Sequence, residues 1–548
     1  MKNIGKKLFT RVATATLLTL IIASVAILSS CSGQQFTFEM TEDGTATLTN
    51  YRGSAKEVVV PDTWQGAKVT AIGNYAFANL QSLESVTLPE GITDIGSYAF
   101  ASCQRLKSVS IPASLEKLGK GCFYSCRELL SMDLSSCAVT EIPEVAFKNC
   151  TEIKEIVCSS PKKIGNEAFL GCSSLVSFAI PDTVTELGNG VFKNCHSIDS
   201  LTIGASVAKI GENCFSGISA DISFSEASVI EKITAGMFAG VMGGSISIPQ
   251  SIDSFEPYAF ADCAASISIA AIRGGIPNGM LSGYKGTSFI IPNGVESIGA
   301  SAFADCSNLD SLVIPKTVAS IGENAFLNMK GSISFESGSA LTVIGEKAFA
   351  DYKGRELKLP ASVTHISPLA FDDCTASISF DDGSKLTRLG EESFCGWLGS
   401  SVELPAGLEE IGKYCFYNSS ALTSLKLPQK IKTIPEGAFM ACSKLRTVEL
   451  GNEIESIDMG AFSYCTYLQA VSLPDSLRVI GERVFSDCES LSSVKICRSV
   501  RSIGIGAFEN CSSLSYLDYA GSEAELDGIE LPEGGWPSVG TFIIRCGS

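Results

Sequence analysis

Ser85-Val86-Thr87-Leu88-Pro89-Glu90-Gly91-Ile92-Thr93-Asp94-Ile95-Gly96-Ser97-Tyr98-Ala99-Phe100-Ala101-Ser102-Cys103 is one copy of a pattern that recurs along the chain. Val86 and Leu88 alternate with polar residues, the period of a strand with one buried face. Pro89 ends that strand, because proline has no N–H to give to a ladder. A second extended piece, Ile92-Thr93-Asp94-Ile95, closes at Gly96. A helical turn is expected around Ala99-Phe100, ending near Cys103.

The phenylalanine marks the register. It stands at Phe77, Phe100, Phe123, Phe147, Phe169, Phe192, Phe215, Phe238 and Phe260. Leu281 replaces it once, and it resumes from Phe303 through Phe326, Phe349, Phe371, Phe394, Phe416, Phe439, Phe462 and Phe485 to Phe508. These are twenty units, each 21 to 24 residues from the next. A period near 23 lies in the range of leucine-rich repeats. One unit has no core of its own; stacking hides the inward side chains of each coil between its neighbours. At strand spacing, roughly 4.8 Å per coil, twenty coils give a rod or shallow arc on the order of 95 Å long.

The Ile/Leu-Pro, Ile-Gly and Ala-Phe-x-x-Cys signature resembles the BspA-like, or treponemal-type, leucine-rich-repeat family, over about residues 36 to 548. The resemblance implies a right-handed solenoid with short strands and helical turns. It also implies caps: an N-terminal hairpin over Phe36 to Pro61 with Asp43-Gly44 as its turn, and C-terminal strands through Tyr519-Ala520-Gly521-Ser522, Glu525 to Ile529 and Phe542 to Cys546. Such caps cover the apolar surface and unpaired edges of a bare end coil. Members of that family are typically surface or secreted proteins of host-associated bacteria, and several are adhesins for host matrix proteins.

The start of the chain has a different character. Lys2, Lys6, Lys7 and Arg11 precede an uncharged apolar run from Val12 to Leu28, and then comes Leu28-Ser29-Ser30-Cys31. A basic region, an apolar region and small residues before a cut mark a secretory signal. The cysteine after Leu-Ser-Ser resembles the bacterial lipobox, which implies acylation of Cys31 and a membrane anchor of buried lipid chains. The alternative is an uncleaved transmembrane anchor, since 17 apolar residues barely span a bilayer. The expected organisation is a signal peptide over 1–30, a lipidated N-terminus and cap over 31–60, the solenoid over 61–518 and a C-terminal cap over 519–548. The expected location is the cell envelope, at the outer membrane or cell surface.

The 548 residues are 45% hydrophobic and 18% charged, ample for a core and unlike a disordered chain. Net charge is −18, and loss of the four basic leader residues leaves 37 basic against 59 acidic. Such a surface repels phosphate backbones, so nucleic acid is not an expected partner.

Twelve of the 21 cysteines fall three residues after the register phenylalanine, from Cys103 and Cys126 to Cys488 and Cys511. Other units put Leu80, Ile218, Val241, Met329 or Trp397 there, which marks an interior position where cysteine acts as a small hydrophobe. Stacked cysteines would also lie within disulfide reach, roughly 5 Å between Cα atoms, so coil-to-coil pairing stays open beside buried thiols. No Cys-x-x-Cys occurs, and His196 and His365 are the only histidines, so zinc spacings are absent. No nucleophile elbow or phosphate-binding glycine loop occurs. Asp372-Asp373 and Asp381-Asp382-Gly383 lack the EF-hand pattern and read as turns. No enzyme activity, cofactor or metal is expected.

Two features could serve binding. The outward residue that opens the strand is serine in 14 of 20 units, a flat polar stripe that is either a docking face or a packing requirement. Ser245, Ser311, Ser332 and Ser377 are its candidate contact residues. Between Phe215 and Phe394 the units drift, and Ser-Ile-Ser-Phe strands lead into longer turns at Glu336-Ser337-Gly338-Ser339 and Asp381-Asp382-Gly383-Ser384. Longer turns gather on one edge, where they form a local ligand site or are simple loop variation. The function expected is a monomeric, non-catalytic binding protein, an adhesin for a host or bacterial surface protein or glycan. The alternative is a periplasmic scaffold.

Overall fold

The computed structural model describes residues 35–531 and 543–547. Cys31, the leader and Phe542 lie outside them. The chain winds into a β-solenoid of about 21 turns of stacked parallel strands. Each coil adds a strand of three or four residues to a wide ladder and one of two residues to a narrow ladder. In the wide ladder Ser245–Ile248 pairs in register with Ser266–Ile269, and Ser311–Ile314 with Ser332–Phe335. In the narrow ladder Ser297–Ile298 pairs with Ser320–Ile321. Pairing in register keeps the alternation intact, so Ile246 and Ile248 point inward while Ser245 and Ser247 face out.

The third side of each coil corrects one expectation. It is not helical: α-helix among the described residues is confined to Glu523–Leu526. Around Phe100 the chain makes two consecutive tight turns, with Ala101 N–H donating to Tyr98 O at 3.0 Å and Cys103 N–H to Phe100 O at 3.2 Å. The other N–H groups leave the coil. Tyr98, Phe100 and Ser102 donate to Lys120 O, Cys122 O and Tyr124 O of the next coil at 2.8, 2.8 and 2.7 Å. A helix would spend those donors within itself. Left-handed residues at Tyr98 (φ 54°) and Ser102 (φ 60°) turn them outward. The third side is thus a hydrogen-bonded stack like the other two.

The register phenylalanines form a column through the interior, with neighbouring rings 5.0 Å apart at Phe77–Phe100 and 5.5 Å at Phe462–Phe485. Leu281 interrupts the column and is itself fully buried. At the N-terminal end Phe36–Met40 runs antiparallel to Ala46–Tyr51, and Tyr51 extends the column onto Phe77 at 5.4 Å. At the other end Ile543–Cys546 pairs in parallel with Tyr516–Tyr519. Among the described residues no helix is long and apolar enough to cross a membrane.

The described cysteines are free thiols, and most are buried. Their direction explains why stacking does not bring sulfurs together. Ten of the twelve ladder thiols donate backwards to the carbonyl of the preceding coil's register residue, among them Cys103 to Phe77 at 2.9 Å, Cys306 to Leu281 at 3.1 Å and Cys511 to Phe485 at 3.0 Å. Ser419 takes the same place and bonds Phe394 O at 2.8 Å. Burial pushes the Cys103 and Cys150 thiols up to about 12. A thiol that stays protonated is a poor nucleophile and a poor metal ligand.

Candidate binding face and turn-edge groove

Ser245, Ser311, Ser332 and Ser377 open four strands of the wide ladder, and all four are exposed. Ser311 and Ser332 are direct neighbours. Ser245 lies further along the same column beside Ser266, and Ser377 lies two strands beyond Ser332, with Glu356 between them. The four share a column, not a cluster. Three are tied to the coil before them. Ser245 Oγ donates to Asp221 Oδ1 at 2.7 Å, Ser332 Oγ reaches Asp310 O at 3.5 Å, and Ser377 Oγ donates to Arg355 O at 3.2 Å. These bonds give the hydroxyls a structural role, and each hydroxyl oxygen keeps acceptor capacity toward solvent.

From Ser245 to Ser334 the face is flat and uncharged, with Asp221 bordering it on one side and Glu356 and Lys358 on the other. Its outward strand positions are serines, broken only by Ile290 and Val313. Those two are exposed by 84% and 53%. They occupy equivalent positions in neighbouring coils, since Ser288 bridges Ser311.

The turn edge differs. Ordinary coils leave the wide ladder through a short turn that opens with proline, as at Pro360-Ala361-Ser362. The coils on either side carry turns two residues longer, Glu336–Ala340 and Asp381–Lys385. Both long turns are held in place. Gly338 (φ 76°) and Gly383 (φ 73°) take the left-handed conformation their reversals need. Ala340 N–H donates to Lys316 O at 2.8 Å, and Lys385 N–H to Ala361 O at 2.9 Å. A groove of about 730 Å³ results, with Pro360, Ala361 and Ser362 as its floor. Phe335, Glu336, Arg355, Lys358 and Asp381 line it. Lys358 Nζ lies 2.7 Å from Asp381 Oδ1, and Glu336 Oε2 accepts the Lys316 backbone N–H at 2.9 Å. The Asp381 carboxylate raises the Lys358 pKa. Arg355 is exposed and makes no ion pair among the described residues.

Only Ser332 of the four candidate serines touches this groove. The sequence carries the two long turns openly. It does not show that they flank one short turn closely enough to wall a cavity, nor that Arg355 and Lys358 from the strand point into it. His196 and His365 stand apart, both exposed; His196 Nδ1 lies 2.7 Å from Gly217 O. Among the described residues no three His, Cys, Asp or Glu side chains converge as a metal set.

The family model for the BspA type leucine rich repeat region matches residues 70–161, 140–266, 275–399 and 387–515. No curated protein matches the sequence. Among solved structures, a leucine-rich repeat protein from Bacteroides ovatus is 20% identical, with 95% of this chain and 100% of that chain covered and a TM-score of 0.34. A leucine rich cell surface protein from Faecalibacterium prausnitzii is 21% identical over 92% of this chain and 98% of that one, with a TM-score of 0.34. The pneumococcal vaccine antigen PcpA is 17% identical over 94% and 93%, with a TM-score of 0.30.

Proposed function

Because this chain belongs to the BspA-type leucine-rich-repeat family, we propose that it is a lipid-anchored protein of the bacterial cell surface that binds a macromolecule without catalysing its reaction. In this proposal residues 1–30 are a lipoprotein signal and Cys31 carries the lipid. Residues 31–60 and 519–548 cap a solenoid over 61–518. The monomer acts as an adhesin for a host matrix protein or glycan. The basic leader, the apolar run and Leu-Ser-Ser-Cys support the anchor.

The observation that carries the binding role is the uncharged front face from Ser245 to Ser334. Water gives up serine hydroxyls and exposed aliphatic groups more readily than charges, so burying this face against a partner costs little desolvation. Its flat ladder is long enough to supply the roughly 800 Å² per partner that a stable contact needs. Ser245, Ser311 and Ser332 would sit within such a contact, and Ser377 just beyond its edge.

Binding of residues 32–548 to immobilised host matrix proteins, mucins and bacterial polysaccharides across a salt series tests the role. Saturable binding to one class that survives moderate salt is the expected result. Protease shaving of intact cells tests the location. Complete protection of the protein would overturn the adhesin and leave a periplasmic scaffold in its place.

A further inference from the structure

We infer that the groove between the two long turns is a carbohydrate site, and that it takes a neutral hexopyranose unit of a glycan. The inference rests on the binding role proposed above and gives it a place and a ligand class.

The floor holds the first indication. In four coils the hydroxyl three residues into the strand-ending turn reaches back to a carbonyl of the preceding coil. Ser114 does so to Ile92 O at 2.7 Å, Thr183 to Pro161 O at 2.7 Å, Thr317 to Val295 O at 2.6 Å and Ser476 to Ile454 O at 2.6 Å. Ser362 holds the same position, but its Oγ is buried and has no hydrogen-bond partner; Ser499, after the ordinary turn Pro474-Asp475-Ser476, is unpartnered in the same way, and of the two only Ser362 lines a groove. A buried hydroxyl without a partner is costly, and a polar ligand seated on the floor satisfies it.

The walls and lining define the ligand. The volume, about 730 Å³, falls within the roughly 300–1,000 Å³ usual for small-molecule sites. Half-buried Phe335, with Pro360 and Ala361, offers a small apolar surface that suits the C–H face of a pyranose. Around it stand planar, two-pronged groups, the Glu336 and Asp381 carboxylates and the Arg355 guanidinium. The unpaired Arg355 can donate to two vicinal hydroxyls at once, and Glu336 Oε1 and Asp381 Oδ2, the oxygens not engaged by Lys316 N–H and Lys358, can each accept from one. Serine hydroxyls at Ser337 and Ser339 add adaptable partners. The charge balance decides against an anionic glycan. Glu336, Glu356 and Asp381 outnumber Arg355 and Lys358, Lys358 is already paired with Asp381, and the whole chain carries −18. Both turns are pinned by backbone bonds to neighbouring coils, so the groove is formed before ligand arrives and ordering costs are low.

Isothermal titration of the intact protein with cello-, malto-, laminari- and manno-oligosaccharides tests the inference, with a heparin oligosaccharide as the anionic arm. Saturable binding of one neutral oligosaccharide is expected. A361W, which fills the groove with an indole, removes that binding. R355A, at an exposed position, weakens it about tenfold, the loss of one charged hydrogen bond. K68A, at an exposed position near the N-terminal end of the solenoid, leaves it unchanged. Circular dichroism and melting of both groove variants should match the parent, and R355A carries the test if A361W does not fold. Neutral binding that A361W and R355A leave intact would place the site elsewhere. Binding of the heparin oligosaccharide alone would overturn the neutral class. Silence toward every oligosaccharide, with a matrix protein still bound, would overturn this inference and leave the general role standing. Silence toward glycan and protein alike would remove both.

Discussion

The regular stack over residues 403–518 and the drifted middle over residues 215–394 share one backbone and differ in what they put on it. In the regular stack the interior position three after the phenylalanine is mostly cysteine, and the thiols of Cys442, Cys465 and Cys488 bond the preceding coil's carbonyls at 3.1, 3.2 and 3.2 Å. In the middle that position is cysteine only at Cys263, Cys306 and Cys374 and otherwise holds Ile218, Val241, Tyr284, Met329, Tyr352 and Trp397, all fully or almost fully buried. The larger residues find other acceptors. Tyr352 Oη donates to Gly331 O at 2.8 Å, and Trp397 Nε1 to Ala376 O at 2.9 Å. Outside, the regular stack carries Glu403, Lys426 and Glu449 in successive coils, with Lys426 Nζ 2.8 Å from Glu449 Oε2. The middle carries serines, Ile290 and Val313 and no charge at the outward strand positions from Ser245 to Ser334. Both interiors are equally closed, so drift in the repeat has left the core intact and altered the surface. On the charged face Lys426 and Glu449 pair with each other, and the uncharged face has no such pair to break.

The comparison can be broken at several levels. The largest effect expected is alkaline. A buried thiol whose pKa rises from about 9 to about 12 on folding favours the folded chain fully below pH 9 and loses that advantage as pH climbs toward 12. Each thiol ionised on unfolding contributes about 1.4 kcal/mol per pH unit across that window. Under reducing conditions, circular dichroism and limited proteolysis between pH 8 and 12 should show the regular stack, with six buried cysteines, unfolding before the middle, with three. Uniform melting along the chain, followed by proteolysis, would erase this difference between the regions.

The core column gives the next effect. F462A in the regular stack and F238A in the middle should each cost about 3–5 kcal/mol in urea unfolding, because both rings are fully buried. A much smaller loss at Phe238 would show the middle to be loosely packed. Y352F should cost about 1–3 kcal/mol, since it strands Gly331 O and the Ile333 N–H that Tyr352 Oη accepts at 3.1 Å. C465A removes only a weak thiol donor and should cost less than Y352F by the same assay. The smallest effect on stability tests the surface. V313R on the middle face and S472R on the regular face should each shift stability by under about 0.5 kcal/mol. V313R alone should abolish binding of a macromolecular partner.

The candidate contacts were only partly legible. Ser245, Ser311, Ser332 and Ser377 follow from the repeat register, and their exposure follows from strand alternation. The groove residues Phe335, Arg355, Lys358 and Ser362 do not, because they meet only where turns from successive coils stand side by side.

The sequence by itself determined the period, the inward columns and the burial of the cysteines, because each depends on spacing within one coil. It also held a clue against helix. Two residues after the phenylalanine, 16 of 20 positions are Gly, Asn or Asp, and all 20 have positive φ. These are the residues that tolerate the left-handed region. Two residues before it all 20 positions again have positive φ, yet the residues include Val145, Leu369 and Tyr414. Nothing in their identities favours that conformation. Only the stacked structure decided it, because Val145, Leu369 and Tyr414 N–H groups must reach Asn166 O, Glu391 O and Glu436 O of the next coil, at 2.9, 3.1 and 2.9 Å. Bonds between coils override the preference of the residue that makes them, as they also set two long turns around one short one.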